Sequence, residues 1–255
     1  MKLVVLGSGT SIPNAKRSSS GFWLETAVGS ILLDCSAAVP LRMAQEELGW
    51  PNLDAIWISH FHLDHCGGLA PLLAGTKHAE SMKARVKPLR ICGPTGIRQL
   101  VDTFSSANHY RLLDQPFPVE VIEVEESEQF EILPGVEAVT CNTPHTNESQ
   151  AIHIRDIDGK TIVYSGDTGF DEVIASFANR VDLFILECTF IRDKPIQKHL
   201  ELAEAIFLIR KAAPKRAMLT HFYPEWDDLD FRDEVARLDP YSKVIEAADG
   251  LRLKV

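Results

Sequence analysis

The chain has 255 residues, 45% hydrophobic and 24% charged, the proportions of an ordinary globular protein rather than a disordered or fibrous one. Its formal net charge of −10 argues against broad electrostatic binding to nucleic acid, which is not expected as a partner. Five scattered cysteines without a Cys-x-x-Cys pair speak against a disulfide framework or a cysteine-zinc knuckle, and no run approaches the roughly 20 apolar residues that span a bilayer.

The first apolar stretch, Leu3–Leu6, stops at Gly7-Ser8-Gly9 and is too short for the apolar region of a signal peptide, so the expected compartment is the cytoplasm, with no membrane association. Lys2–Leu6, Gly21–Glu25 and Ser30–Leu33 read as three strands joined by tight connections, and Ala38–Leu48 has helical spacing up to Gly49. Ala55–Ser59 is an apolar strand that runs directly into His60-Phe61-His62-Leu63-Asp64-His65; Gly67 to Gly75 suits a helix. Leu89–Cys92 is a strand, followed by Gly93-Pro94-Thr95-Gly96 and another helix. The basic cluster Lys83, Arg85, Lys87 and Arg90 reads as a solvated loop before a nucleic-acid patch.

Val119–Val124, Gln129–Leu133 and Val136–Cys141 are strands, and Ala151–Arg155 and Thr161–Ser165 form a hairpin about Asp158-Gly159. Leu183–Leu186 is a strand, Leu200–Ala212 a helix, Ala217–Thr220 a strand, and Val244–Glu246 and Leu251–Val255 close the chain. Strands with interspersed helices and no linker favour one layered α/β domain over residues 1–255.

His60, His62, Asp64 and His65 fall within six positions of a chain that has nine histidines in all. Imidazole and carboxylate are the ligands zinc uses in catalytic sites, and the preceding strand delivers them to a strand end. His145, Asp167 and His221 each follow another strand. Each alone is an ordinary turn residue; together, four strand ends present metal-type side chains. His78, His109 and His153 lack such neighbours and are assigned to the surface or loops, and Asp34, after Leu32-Leu33, is either a partner for a ligand histidine or a turn residue.

The order Gly7-Ser8-Gly9-Thr10, His-x-His-x-Asp-His, Ser165-Gly166-Asp167-Thr168, Leu219-Thr220-His221-Phe222 and Ala248-Asp249-Gly250 resembles the metallo-β-lactamase superfamily, in particular its ribonuclease Z-like branch. The resemblance implies an αββα sandwich, with two mixed β-sheets flanked by helices and metals at one edge. It implies one zinc on His60, His62 and His145, a second on Asp64, His65 and His221, and Asp167 bridging them, with manganese or iron as alternative metals. His62 stands where related diiron oxidoreductases carry Glu, which favours hydrolysis. The expected reaction is attack of a metal-bridging hydroxide on a small or cyclic phosphodiester, with Asp64 orienting the water. Protonation of the leaving group falls to His199 with Glu187, unless the two are only a helix-capping histidine and a strand-end carboxylate; Glu187 matches the branch's His-Glu-Ala-Thr motif, in which Leu186 replaces the first His. Lys198 is a candidate anion contact, Trp226 and Glu225–Asp230 either a part of the cleft rim or only a solvated loop, and a homodimer the expected assembly.

The resemblance leaves alternatives: a ribonuclease Z-like nuclease, a lactonase, thioesterase or sulfatase, or a scaffold that keeps metal for structure. Between His145 and Asp167 one hairpin consumes the chain, leaving no room for the tRNA-gripping arm of true ribonuclease Z enzymes.

Overall fold

A computed structural model describes residues 1–255. It contains two seven-stranded sheets. The first is built from β1 (Lys2–Gly7), β2 (Gly21–Glu25), β3 (Ser30–Leu33), β4 (Ala55–Trp57), β5 (Leu89–Pro94) and β6 (Val119–Val124), with β14 (Arg252–Lys254) added beside β1. The second takes β7 (Gln129–Leu133), β8 (Val136–Asn142), β9 (Gln150–Arg155), β10 (Thr161–Tyr164), β11 (Leu183–Glu187), β12 (Arg216–Thr220) and β13 (Lys243–Glu246) in sequence order. Both sheets are mixed: antiparallel from β14 to β3 and from β7 to β10, parallel from β3 to β6 and from β10 to β13.

Alternation along the first strands assigns their faces. Leu3, Val5, Phe22, Leu24, Ile31 and Leu33 join a 45-residue cluster that also takes in the second sheet, whereas Val4, Leu6, Trp23 and Leu32 point into a separate 22-residue cluster. Helices α1 (Val39–Gln45), α3 (Leu69–His78) and α4 (Ile97–Ser106) cover that outer face through Val39, Met43, Leu69, Leu73, Ile97 and Val101. Helices α5 (Glu172–Phe177), α6 (Leu202–Ala212) and α7 (Phe231–Ala236) cover the second sheet. In α6, Leu202, Ala205, Ile206 and Ile209 are buried at helical spacing behind a Glu201/Glu204 capping box. The result is the expected αββα sandwich.

Several boundaries move for local reasons. The strand expected over Ala55–Ser59 stops at Trp57 because the Asp34 carboxylate captures the Ser59 N–H (2.7 Å) and hydroxyl (2.8 Å). The helix expected to Leu48 ends at Gln45, with Glu47 in the left-handed region (φ 53°). The stretch before Gly67 already forms a single turn, α2 (Leu63–Cys66), and the six-residue helices α5 and α7 are too short for periodicity to reveal.

The loop between β1 and β2 is pinned from the far end of the chain. Arg17, 9% exposed, reaches Asp227 (2.8 Å), Glu246 (2.6 Å) and the Ala247 carbonyl (2.9 Å), and its guanidinium lies 4.7 Å from the Phe222 ring centre. Asp249 accepts from the Ser8 and Ser18 N–H groups. Asp227, inside the acidic run expected to be a rim or a solvated loop, is thus a structural anchor. Trp226 is 2% exposed and donates to the Thr189 carbonyl; it is core, not rim. All five cysteines are buried and unpaired, and burial pushes the Cys66 and Cys92 thiols up to about 12. No helix is long and apolar enough to cross a membrane.

Candidate metal centre

The candidate residues meet at one edge of the sandwich, beyond the carboxyl ends of the parallel strands, the usual place for a site in such sheets. Asp34 follows β3, the His60–His65 segment follows β4, His145 lies between β8 and β9, Asp167 follows β10, and His221 follows β12. Gly166, immediately before Asp167, has φ 58°, and a Cβ there would lie 2.7 Å from that of Ser59. Only glycine fits this crossing point between the two sheets.

Hydrogen bonds settle which nitrogen of each ring faces inward. The His65 Nδ1–H donates to Asp34 (2.6 Å) and the His145 Nδ1–H to the Lys198 carbonyl (2.9 Å), since neither acceptor can donate. Ser59 spends its hydroxyl proton on Asp34 and Thr189 spends its own on Glu187 (2.8 Å), so they accept from His60 Nδ1 (3.1 Å) and His221 Nδ1 (2.9 Å). Nε2 is then the inward nitrogen of all four rings. Asp34 is therefore the partner of a candidate ligand histidine, while its φ of 58° also makes it a turn residue.

The inward atoms form two groups. His60 Nε2 and His145 Nε2 lie 3.1 and 3.0 Å from Nδ1 of the exposed His62. His65 Nε2 and His221 Nε2 are 3.4 Å apart, with the Asp64 carboxylate 3.8 and 3.5 Å from them. Asp167 stands between. Its Oδ2 is 3.7 Å from His60 and 3.5 Å from His145, and its Oδ1 is 3.2 Å from His65 and 3.3 Å from His221. Oδ1 is buried without a hydrogen-bond partner.

Lone pairs converging on one another, around a carboxylate oxygen that nothing satisfies, are repulsive unless cations lie between them. The donor set therefore fits divalent metal, with ligand atoms in each group within 4.8 Å of one another. Without a cation, charge is balanced by protons. Burial would lower the His65 pKa, but Asp167 and Asp34 outweigh it and hold the ring charged; burial keeps His60 neutral. Burial would raise the pKa of Asp64 and Asp167, yet the surrounding histidines hold both carboxyls well below the usual range.

His199 sits beside this set, its ring centre 4.8 Å from that of His145 and 5.3 Å from that of His221. Its Nδ1 donates to Glu187 (2.9 Å), leaving Nε2 free. Burial opposes its charge, but the Glu187 carboxylate wins and raises its pKa to about 9. Glu187 is fully buried and also accepts from the Thr168 N–H (2.7 Å) and the Leu200 N–H (3.1 Å). It orders the loop around His199 rather than facing the cleft. Lys198 contributes its carbonyl to His145; its side chain is exposed.

A cleft of about 380 Å³ opens onto these groups, with Thr10, Ser11, Leu63 and Tyr223 completing its wall. Nothing in the sequence marked Tyr164 or Thr189, whose hydroxyls serve Asp34 and His221 from distant parts of the chain. The cluster Lys83, Arg85, Lys87 and Arg90 is paired off: Lys83 with Glu80, Lys87 with Asp54, Arg90 with Glu120, and Arg85 with the Pro51, Leu53, Lys87 and Pro88 carbonyls. His153 is half-buried, edge-on to Phe177.

Comparison with known proteins gives the same picture. Residues 30–222 match the model of the beta-lactamase superfamily domain. Ribonuclease Z of Shouchella clausii is 25% identical over 98% of this chain and 95% of its own. The metallo-beta-lactamase fold protein YhfI from Bacillus subtilis superimposes with a TM-score of 0.81 at 22% identity, covering 99% of this chain and 98% of that one. Human tRNase Z, short form, does so with a TM-score of 0.77 at 20% identity, covering 100% and 99%. These relatives overturn the exclusion of nucleic acid drawn from net charge and the short connection between His145 and Asp167. Net charge sums the whole surface, and says nothing about the potential inside one cleft lined with metal-type donors.

Proposed function

Because this chain belongs to the beta-lactamase superfamily domain family, we propose that it is a ribonuclease Z-like metal-dependent hydrolase that cleaves phosphodiester bonds with two zinc ions. One would be held by His60, His62 and His145, the other by Asp64, His65 and His221, with Asp167 shared. The supporting observation is Asp167, which turns one oxygen to each group of donors and leaves Oδ1 otherwise unpaired. Bound there, two divalent ions supply Lewis acidity and a water acidified to near neutrality.

The protein's own groups do the rest. Asp64, kept ionised by His221 and His65 against its burial, accepts a hydrogen bond from the attacking water and orients it in the cleft. His199 donates the Nε2 proton to the departing oxygen, while Glu187 keeps the opposite face of the ring fixed. Glu187 is thus a positioning residue for His199.

Small or cyclic phosphodiesters are the proposed substrates. A second reading, favoured by the name of the curated relative, is cleavage of ribonucleic acid, which presents the same reacting unit. Metal-loaded protein should hydrolyse bis(p-nitrophenyl) phosphate and lose that activity on chelation. Parallel assays on cyclic nucleotides and an RNA oligonucleotide separate the two readings. Turnover of lactones or thioesters with no phosphodiester cleavage would sink the substrate class and leave the metal centre standing.

The role of His199 carries its own expectation. His199→Ala should slow cleavage of a diester with a poor, alkoxide-like leaving group on the order of 10²–10⁴-fold. Release of p-nitrophenolate, which needs little protonation, should change far less. Equal losses on both substrates would mean that His199 is structural.

A further inference from the structure

We infer that Tyr164 is a positioning residue for the metal centre, its hydroxyl crossing from one sheet to the other to hold the carboxylate that orients His65. The inference rests on the proposed assignment of His65 as a ligand. Tyr164 ends β10 of the second sheet, and Asp34 follows β3 of the first. The hydroxyl donates to Asp34 Oδ2 at 2.6 Å, and the same oxygen accepts from His65 Nδ1 at 2.6 Å and from the Ser59 hydroxyl at 2.8 Å. Asp34 Oδ1 takes the Ser59 N–H at 2.7 Å.

Every member of this cluster is sealed from solvent: Asp34 and His65 are 0% exposed, Ser59 and Tyr164 1%. A donor removed here has no water to replace it. Ser59 and His65 belong to the first sheet's own loop, so of the three side chains on Asp34 only Tyr164 reaches from the opposite sheet. Three residues after Tyr164 comes Asp167, whose Oδ1 is 3.2 Å from His65 Nε2. The hydroxyl therefore ties the strand that carries Asp167 to the carboxylate that sets the His65 ring.

Loss of the hydroxyl should fall unevenly on the two metal positions. The one built from Asp64, His65 and His221 depends on Asp34 through His65. At the other, the link to Asp34 is indirect, passing through the Ser59 hydroxyl to His60 Nδ1, and His145 Nδ1 is held independently by the Lys198 carbonyl. The competing account is that Tyr164 only fills the core, its ring packed against Phe22 with centres 5.4 Å apart. Tyr164→Phe keeps the ring and deletes the hydroxyl; Phe22→Leu disturbs the packing and keeps the hydroxyl.

The test is stepwise zinc titration of the full chain in competition with a chromophoric chelator, with thermal unfolding alongside. Wild type should bind two ions. Tyr164→Phe should hold one as wild type does and bind the other about 10–100-fold more weakly, the usual loss when a ligand's supporting partner is removed. Phe22→Leu should lower Tm and leave the ratio of the two affinities unchanged. Unaltered affinities in Tyr164→Phe, or equal loss at both positions, would overturn the inference while the two-ion reading stands. Fewer than two ions on wild type would overturn both.

Discussion

Asp167→Ala is expected to abolish phosphodiester hydrolysis, by on the order of 10³-fold or more, and to reduce the zinc content of the purified protein from two ions to one or none. The size follows from its position. One carboxylate, 2% exposed, faces four imidazoles: His60 and His145 through Oδ2, and His65 and His221 through Oδ1. No neighbouring carboxylate can substitute on the first side, because Asp64 lies with the second group. On the proposed two-ion reading, removing Asp167 would strip the negative charge that would let two dications sit close together, so both positions would weaken. Metal analysis and turnover on bis(p-nitrophenyl) phosphate should fall together. Retention of two ions with full activity would show that the shared ligand is not Asp167.

The second large effect is on stability and lies outside the donor set. Gly7→Ala should destabilise the fold by about 3 kcal/mol or more, since the added Cβ meets backbone on a loop that has nowhere to go. At Gly7 it would lie 1.8 Å from the Ser19 carbonyl oxygen and 2.8 Å from that of Ser18. Asp227 and Asp249 hold that loop from the C-terminal part of the chain, so relief would have to break the Arg17–Asp227 and Ser18–Asp249 contacts. The damage should reach the cleft as well. The Phe222 N–H donates to the Ser8 carbonyl (3.0 Å), next to His221 in the left-handed region (φ 62°). Urea unfolding measures the loss; a change within about 1 kcal/mol would mean that the loop is far softer than its anchors imply.

What could be read in advance follows the range of the interactions. His60 to His65 lie within one turn of chain, so their shared chemistry is visible as a motif. The alternation Leu3/Val5 against Val4/Leu6 is just as local, and it gives the strands and the layered fold. Tyr164 and Asp34 are 130 positions apart, and Thr189 and His221 32, so no spacing announces their hydrogen bonds. The end of β4 at Trp57 rather than Ser59 has the same origin: a distant carboxylate, not a local breaker, terminates it. Partners are illegible for a different reason: a net charge of −10 is a property of the whole molecule and does not give the potential in one cleft.

The burial of the thiols makes the surface of this protein nearly blank towards sulfhydryl reagents. Cys35, Cys66, Cys92 and Cys188 are 0% exposed and Cys141 9%, and burial raises the pKa of each, so thiolate is scarce at neutral pH. One cysteine introduced at an exposed position such as Val86 or Tyr241, 85% and 87% exposed, would carry a maleimide dye or spin label alone. A label at each of the two would report, in solution and with the native residues left in place, the distance between the segments that lead into β5 of one sheet and β13 of the other.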